Sequence, residues 1–164
     1  MGKGKFGEGD RLETLPSYSS PLVTQDGKKI SFAQLKGKGL VLFWYPKAGT
    51  AVCTKEACQF RDDYSKFAEL NIEVLGISSD TPEANAAWAQ KERLPFSLIS
   101  DHNNTLRTEL GVKNNLLGLA PGRQTFVMDT SGTCILSYTN SLNGKAHVEE
   151  ALKAARKAVG KPPS

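Results

Sequence analysis

LVLFWYPKAGTAVCTKEAC (Leu40–Cys58) joins an unbroken apolar run, a turn-rich linker and two cysteines five residues apart. The run Leu40–Tyr45 mixes aliphatic and aromatic residues without alternation, which predicts a strand buried on both faces. It is far too short to cross a bilayer. Pro46 and Gly49 then break the strand. Beyond them Cys53, Ala57, Phe60, Tyr64 and Phe67 recur at spacings of four, three, four and three, one apolar stripe on a helix spanning about 51–70. A doubly buried strand feeding a helix is the signature of a sheet whose faces are covered by helices.

The rest of the chain extends that pattern in both directions. Leu22-Val23 and Lys29-Ile30 flank Gln25-Asp26-Gly27 and predict an N-terminal hairpin. Ser31 can cap a short turn over FAQL. IEVLGIS (72–78) reads as a second buried strand, and Thr81 followed by Pro82 as the start of a helix carrying Trp88 and ending before Pro95. FSLIS (96–100) is a short strand, and NNTLRTEL (103–110) a helix closed by Gly111. TFVMD and CILSYT pair through TSGT, and 146–159 is a last helix with Val148, Leu152, Ala155 and Val159 inward. The order β-α-β-α-β, an insert, then β-β-α predicts an α/β thioredoxin-like fold. The expected architecture is a central mixed β-sheet flanked by helices, in one domain over 1–164 with flexible ends at 1–8 and 160–164.

Composition bounds the function. The chain has 164 residues, enough for one domain with a real core. A net charge of +4 is mild and sits partly in the N-terminal arm and the tail KAARKAVGKPPS. It is too diffuse for a nucleic-acid surface, and no apolar segment suits a membrane. The start MGKGKFGEGD has no apolar h-region, and position 6 is Phe6 where a myristoylation signal needs Ser or Thr. Three cysteines is an odd number, which argues against a disulfide-stapled secreted domain and for a reducing compartment.

The thiol pair carries the chemistry. Cys53 falls in the first turn of the predicted helix, where unpaired N–H groups and the positive end of the dipole favour a thiolate and lower its pKa. In an intact helix five residues separate two Cα atoms by about 8–9 Å. A disulfide tolerates at most about 7 Å. Cys53 and Cys58 therefore bond only if the first turns unwind. Spacing alone leaves two readings open: two small buried hydrophobes, or a redox pair. Zinc is not expected, since CxxxxC has no second pair and His102 and His147 lack ligand spacing.

Pro46, Thr50 and Cys53 form PxxxTxxC, which resembles the active-site signature of peroxiredoxins. The string CTKEACQFRDDY is similar to the peroxiredoxin Q group, also called bacterioferritin comigratory protein. The likeness continues in WAQKERLPFSLISD (88–101) and PGRQTFVMD (121–129) and covers about residues 8–158. This resemblance implies a thiol peroxidase for hydrogen peroxide and alkyl hydroperoxides, with no metal or other cofactor. It makes Cys53 the peroxidatic thiolate and Cys58 the resolving cysteine, with thioredoxin or a similar reductant restoring the dithiol. It further implies that Thr50 orients the peroxide, that Pro46 shields the pocket, and that Arg123 holds the thiolate with the backbone amides of Val52 and Cys53. It implies a monomer, and a plastid setting with the transit peptide not included in this chain, or else the cytoplasm. Many relatives read TPGC where this chain has Thr50-Ala51-Val52-Cys53, a departure expected to alter pocket shape and the ease of unwinding.

Cys134 reads as a core cysteine, Trp88 as packing, His102 as a loop residue, and His147 as a residue without a visible partner. A redox sensor or relay uses the same Cys53–Cys58 switch, so sequence does not separate it from a peroxidase. A general disulfide reductase would need neither Thr50 nor Arg123 and would carry CxxC. A nucleic-acid binder would show steeply salt-dependent binding.

Overall fold

A computed structural model describes residues 6–112, 114–115, 120–121, 123–140 and 142–159. Its centre is β3 (Gly39–Trp44), buried along its whole length. β3 pairs in parallel with β4 (Ile72–Ser78) and antiparallel with β8 (Gln124–Met128). β5 (Ser97–Ser100) extends the sheet beyond β4, and β9 (Cys134–Thr139) beyond β8, giving the order β5-β4-β3-β8-β9. This is the mixed sheet of a thioredoxin-like fold. The expected N-terminal hairpin is present as β1 (Leu22–Val23) and β2 (Lys29–Ile30). The insert contributes β6 (Asn114–Asn115) and β7 (Ala120–Pro121).

Alternation along β3 sorts its side chains onto two cores. Val41, Phe43 and Tyr45 face α1 (Ala51–Asp62), α2 (Tyr64–Glu69), α3 (Pro82–Glu92) and α5 (Gly144–Val159). Leu40, Leu42 and Trp44 face the N-terminal arm, two 3-10 turns and α4 (Thr105–Leu110). Phe43 anchors the first core. Its ring stacks on Phe60 at 4.7 Å and meets Phe96 edge-on at 5.6 Å. Burying such a ring contributes about 1.5–3 kcal/mol, and each aromatic pair adds about 0.5–1.5 kcal/mol.

Two expectations need correction. The helix expected over about 51–70 is two helices, broken at Asp63. Asp63 leaves the helical ladder at φ −98° and ψ 6°, and its side chain is held by Gln59 Nε2 at 3.1 Å and Lys66 Nζ at 3.2 Å. Adjacent Asp62 and Asp63 are poor helix interiors. The break turns Phe67 into the core and leaves Tyr64 half-buried, its hydroxyl donating to Glu73 Oε1. The second correction concerns the expected loose end at 1–8. Phe6 is buried and packs edge-on against Phe126 at 5.7 Å, and Gly7 N–H donates to Asp10 Oδ2. Residues 1–5 and 160–164, and the side chain of Val159, lie outside the described residues. The other inward positions of the last helix, Val148, Leu152 and Ala155, are buried.

Candidate active site

The site is assembled where β3 ends, α1 begins, β8 begins and α5 begins. After Tyr45 the chain turns through a half-buried Pro46 and an exposed Gly49 at φ +83°, a backbone region open to glycine without steric cost. Thr50 Oγ1 donates to the Lys47 carbonyl at 2.8 Å, closing this turn, and does not cap α1. The loop is also tied to the end of β4. Ala48 N–H donates to Asp80 Oδ2 at 2.8 Å, and Ser78 Oγ donates to the same oxygen at 3.0 Å.

The helical ladder of α1 starts with Thr54 N–H donating to the Thr50 carbonyl. The N–H groups of Ala51, Val52 and Cys53 precede that ladder and point out of the positive end of the helix. Cys53 is fully buried, and Arg123 Nη2 donates to its Sγ at 3.2 Å. Arg123 Nη1 reaches the other way, to Glu56 Oε1 at 2.6 Å. Glu56 Oε2 lies 3.5 Å from His147 Nδ1. That nitrogen is also 2.8 Å from Thr125 Oγ1, and His147 Nε2 is 2.9 Å from the Asn140 carbonyl oxygen. Glu56, Thr125 and His147 are wholly buried, and Arg123 is 4% exposed.

Electrostatics follow from that burial. The Glu56 carboxyl is pushed up to about 8 by loss of water, against the pull of Arg123. His147 is pushed down to about 4, again by burial, with Arg123 adding to the fall and the Asn140 bond resisting it. Burial pulls Arg123 down, but negative charge at Glu56 and Cys53 pulls it up by more. Arg123 stays a cation on either account, so the shift that decides the site's charge is that of Glu56. One cation stands between two acids.

Cys58 sits elsewhere. It is half-buried, its Sγ donates to Glu92 Oε1 at 3.4 Å, and Arg61 Nη1 holds the Glu92 carbonyl at 2.6 Å. Its pKa is raised by burial and by the Glu92 bond. Both thiols are free, each on its own partner, inside one continuous helix. Cys134 is buried, with its thiol pushed up to about 12, chiefly by burial. Trp88 packs on Tyr45 at 5.0 Å, and its Nε1 donates to Thr54 Oγ1 at 3.2 Å.

The structure thus brings Cys53 and Arg123 together, with Pro46 and Thr50 in the loop leading into α1, and keeps Cys58 apart. Sequence reading missed Glu56, Asp80 and the partners of His147. Glu56 lies three residues after Cys53, on the apolar stripe, and a carboxylate there demands a buried partner. His147 likewise precedes Ala151 by one turn on the buried face of α5. Both signals were present in the helical spacing. Among the described residues no group of side chains is arranged to hold a metal ion, and no helix is long and apolar enough to cross a membrane.

The chain as a whole has known relatives. Residues 13–136 match the AhpC/TSA family, and the chain belongs to that family, on the peroxiredoxin side of it. It is 47% identical over 137 residues to a chloroplastic peroxiredoxin Q of Gentiana triflora, covering 84% of this chain and 63% of that one. A chloroplastic peroxiredoxin Q of Populus jackii is 45% identical over 148 residues, covering 90% and 68%. The chain therefore spans roughly two thirds of these relatives' length. The crystal structure of peroxidoxin BcpB from Mycobacterium tuberculosis superposes with a TM-score of 0.81 at 35% identity, covering 93% of this chain and 97% of that one.

Proposed function

We propose that this chain is a thiol-dependent peroxidase for hydrogen peroxide and alkyl hydroperoxides, with Cys53 as the reacting thiol. The observation that carries the reading is the Arg123 guanidinium donating to a fully buried Cys53 sulfur at 3.2 Å. A buried cation fixed on sulfur favours the thiolate and meets charge developing on peroxide oxygens without reorganising. The Val52 and Cys53 amides add donors at the same helix end. Thr50 Oγ1 spends its proton on Lys47, which leaves its lone pairs to accept from the peroxide O–H. Pro46 walls the entrance.

The thiolate attacks the terminal peroxide oxygen. The O–O bond breaks, the departing oxygen takes a proton, and Cys53 becomes a sulfenic acid with release of water or alcohol. The Cys58 thiol then displaces hydroxide from that sulfur, forming the disulfide and water. α1 must unwind for this step, since Cys58 is held by Glu92 on a different partner from Cys53. A dithiol such as thioredoxin returns both thiols and leaves as its own disulfide. Resolution within one chain makes a monomer sufficient, and the chloroplastic relatives support a plastid setting.

One equivalent of hydrogen peroxide, followed by thiol counting and peptide mapping, tests this. Wild type should lose two thiols and yield a Cys53–Cys58 disulfide. Cys53→Ser should stay reduced, and Cys58→Ser should stop at sulfenic acid. Consumption of Cys134 alone, or no consumption, would sink the reading. A relay passing oxidation to a partner is favoured to the extent that the unwinding alters the surface of α1. Slow or absent turnover with thioredoxin alongside rapid disulfide formation would select it.

A further inference from the structure

Thr50 accepts from a peroxide only while its own hydroxyl proton is engaged elsewhere, and the fold engages it on a single peptide plane. The Lys47 carbonyl that takes this proton, at 2.8 Å, and the Ala48 N–H belong to the same peptide unit. That unit is planar, and in the trans form its C=O and N–H point to opposite sides. On the far side the Ala48 N–H donates to Asp80 Oδ2, also at 2.8 Å. Asp80 and Thr50 therefore grip opposite edges of one rigid plate, and turning the plate would break both bonds together.

The loop does little to fix the plate by itself, since Lys47 and Gly49 on either side of Ala48 are exposed and Gly49 stands at φ +83°. Asp80, by contrast, is anchored. Its N–H donates to Ser78 Oγ at 3.1 Å, and Ser78 Oγ donates back to Asp80 Oδ2 at 3.0 Å. Ser78 is fully buried at the end of β4, and its carbonyl accepts from the Asp101 N–H at 2.7 Å. The chain entering the loop is held on the same neighbouring strand, with Tyr45 N–H donating to the Ile77 carbonyl at 3.0 Å. A carboxylate acceptor makes the Ala48 bond charge-assisted. It also polarises the carbonyl on the other edge of the plate, where Thr50 donates.

We propose that Asp80 is a positioning residue for the peroxide: through the Lys47–Ala48 peptide it holds the Thr50 hydroxyl with its proton engaged and its lone pairs open to the substrate. Without the Asp80 carboxylate the plate turns, the Lys47 carbonyl leaves Thr50, and the hydroxyl rotates to donate in other directions. The peroxide O–H then loses its acceptor. Asp80 acts through Thr50 and leaves the Cys53–Arg123 pair as it is, because that contact is made by α1 and the residue before β8.

The inference rests on the reading of Cys53 as the reacting thiol and Thr50 as the peroxide acceptor, and its test separates the two. The rate constant for Cys53 oxidation by hydrogen peroxide is measured beside that for Cys53 alkylation by iodoacetamide, each product located by peptide mapping. Alkylation needs the thiolate but no acceptor for a peroxide O–H. Asp80→Ala should slow oxidation about five- to tenfold and leave alkylation within about twofold of wild type. Asp80→Asn, whose amide oxygen still accepts from Ala48, should restore most of the oxidation rate. Thr50→Val should slow oxidation by about tenfold or more, and adding Asp80→Ala to it should slow it by less than about twofold further. The proposal is overturned if Asp80→Ala oxidises as wild type does, if it loses alkylation in equal measure, if its loss multiplies with that of Thr50→Val, or if Asp80→Asn fails to recover. Hydrogen exchange on the reduced wild-type protein needs no variant to fold: the Ala48 amide should be protected, and exchange at the rate of an open loop overturns the proposal as well. If Thr50→Val oxidises at the wild-type rate, or Cys53→Ser consumes peroxide as wild type does, the reading of the site has failed; if Thr50→Val is slow and the Asp80 variants are not, the failure belongs to Asp80 alone.

Discussion

Replacing Gly144 with alanine tests how tightly α5 is seated on the redox helix. A Cβ at this position would meet the Val52 carbonyl oxygen at 2.8 Å, Glu56 Cβ at 2.8 Å and Glu56 N at 3.0 Å. Two of these atoms are backbone of the first turns of α1, so neither can swing aside. The start of α5 must shift away instead. Overpacking of this kind costs about 1–3 kcal/mol. Removing a glycine from the unfolded chain returns about 0.4–1 kcal/mol. Taking the middle of each range, the net expectation is a loss of about 1.3 kcal/mol, or roughly 3–5 °C in melting temperature for a chain of this size. Urea unfolding followed by circular dichroism measures it, with exposed Lys153→Ala on the same helix as the control. Without the clash, Gly144→Ala would stabilise the protein. A variant as stable as wild type, or more so, refutes the packing argument by its sign.

Glu92→Gln removes the charge that, after burial, holds the Cys58 thiol up, and disulfide formation after peroxide treatment should become about twofold faster or more as the thiolate fraction rises; quench-flow alkylation reads this, and an unchanged or slower rate refutes it. Cys134, buried and pushed up to about 12, should resist iodoacetamide in the native protein and react only after unfolding, as mass spectrometry will show. Stability should fall as pH rises from about 6.5 to 8, because folded Glu56 keeps a proton up to about 8 that the unfolded chain has released above about 4.3. His147 works the other way, with its contribution present above about 6.5 and lost as pH falls through about 4, so only Glu56 acts in that alkaline window. Denaturant midpoints at the two pH values should show wild type losing about 1–2 kcal/mol more than Glu56→Gln.

Most of the fold was legible in the sequence because its strands are short, apolar and bounded by Gly, Pro and capping residues. Leu22-Val23 with Lys29-Ile30, the run from Leu40, and Thr81-Pro82 all stand where spacing and turn chemistry put them. The break at Asp63 was not legible, because the apolar period runs through it unchanged and only the Gln59 and Lys66 contacts of its carboxylate mark the stop. The site divides in the same way. Cys53 and Cys58 are visible as a spaced pair, and their separation follows from helical rise alone. Arg123 needed the family resemblance, since nothing local to GRQTF says that it meets a sulfur seventy residues earlier. Glu56, Asp80 and His147 act through partners 67, 32 and 22 residues away, and a single sequence carries no record of such pairings beyond the oddity of a buried charge.

The bond from Trp88 Nε1 to Thr54 Oγ1 gives this protein an intrinsic dye. The indole is pinned to the residue after Cys53, and its ring lies on Tyr45. Any melting of the first turns of α1 must release that indole from a fixed polar contact. The second tryptophan, Trp44, is locked in β3 against the opposite core and supplies a steady background. Emission from a solution of unlabelled protein therefore tracks the folded state of the redox helix turnover by turnover, and a Trp88→Phe chain would go dark to the same event while its chemistry continued.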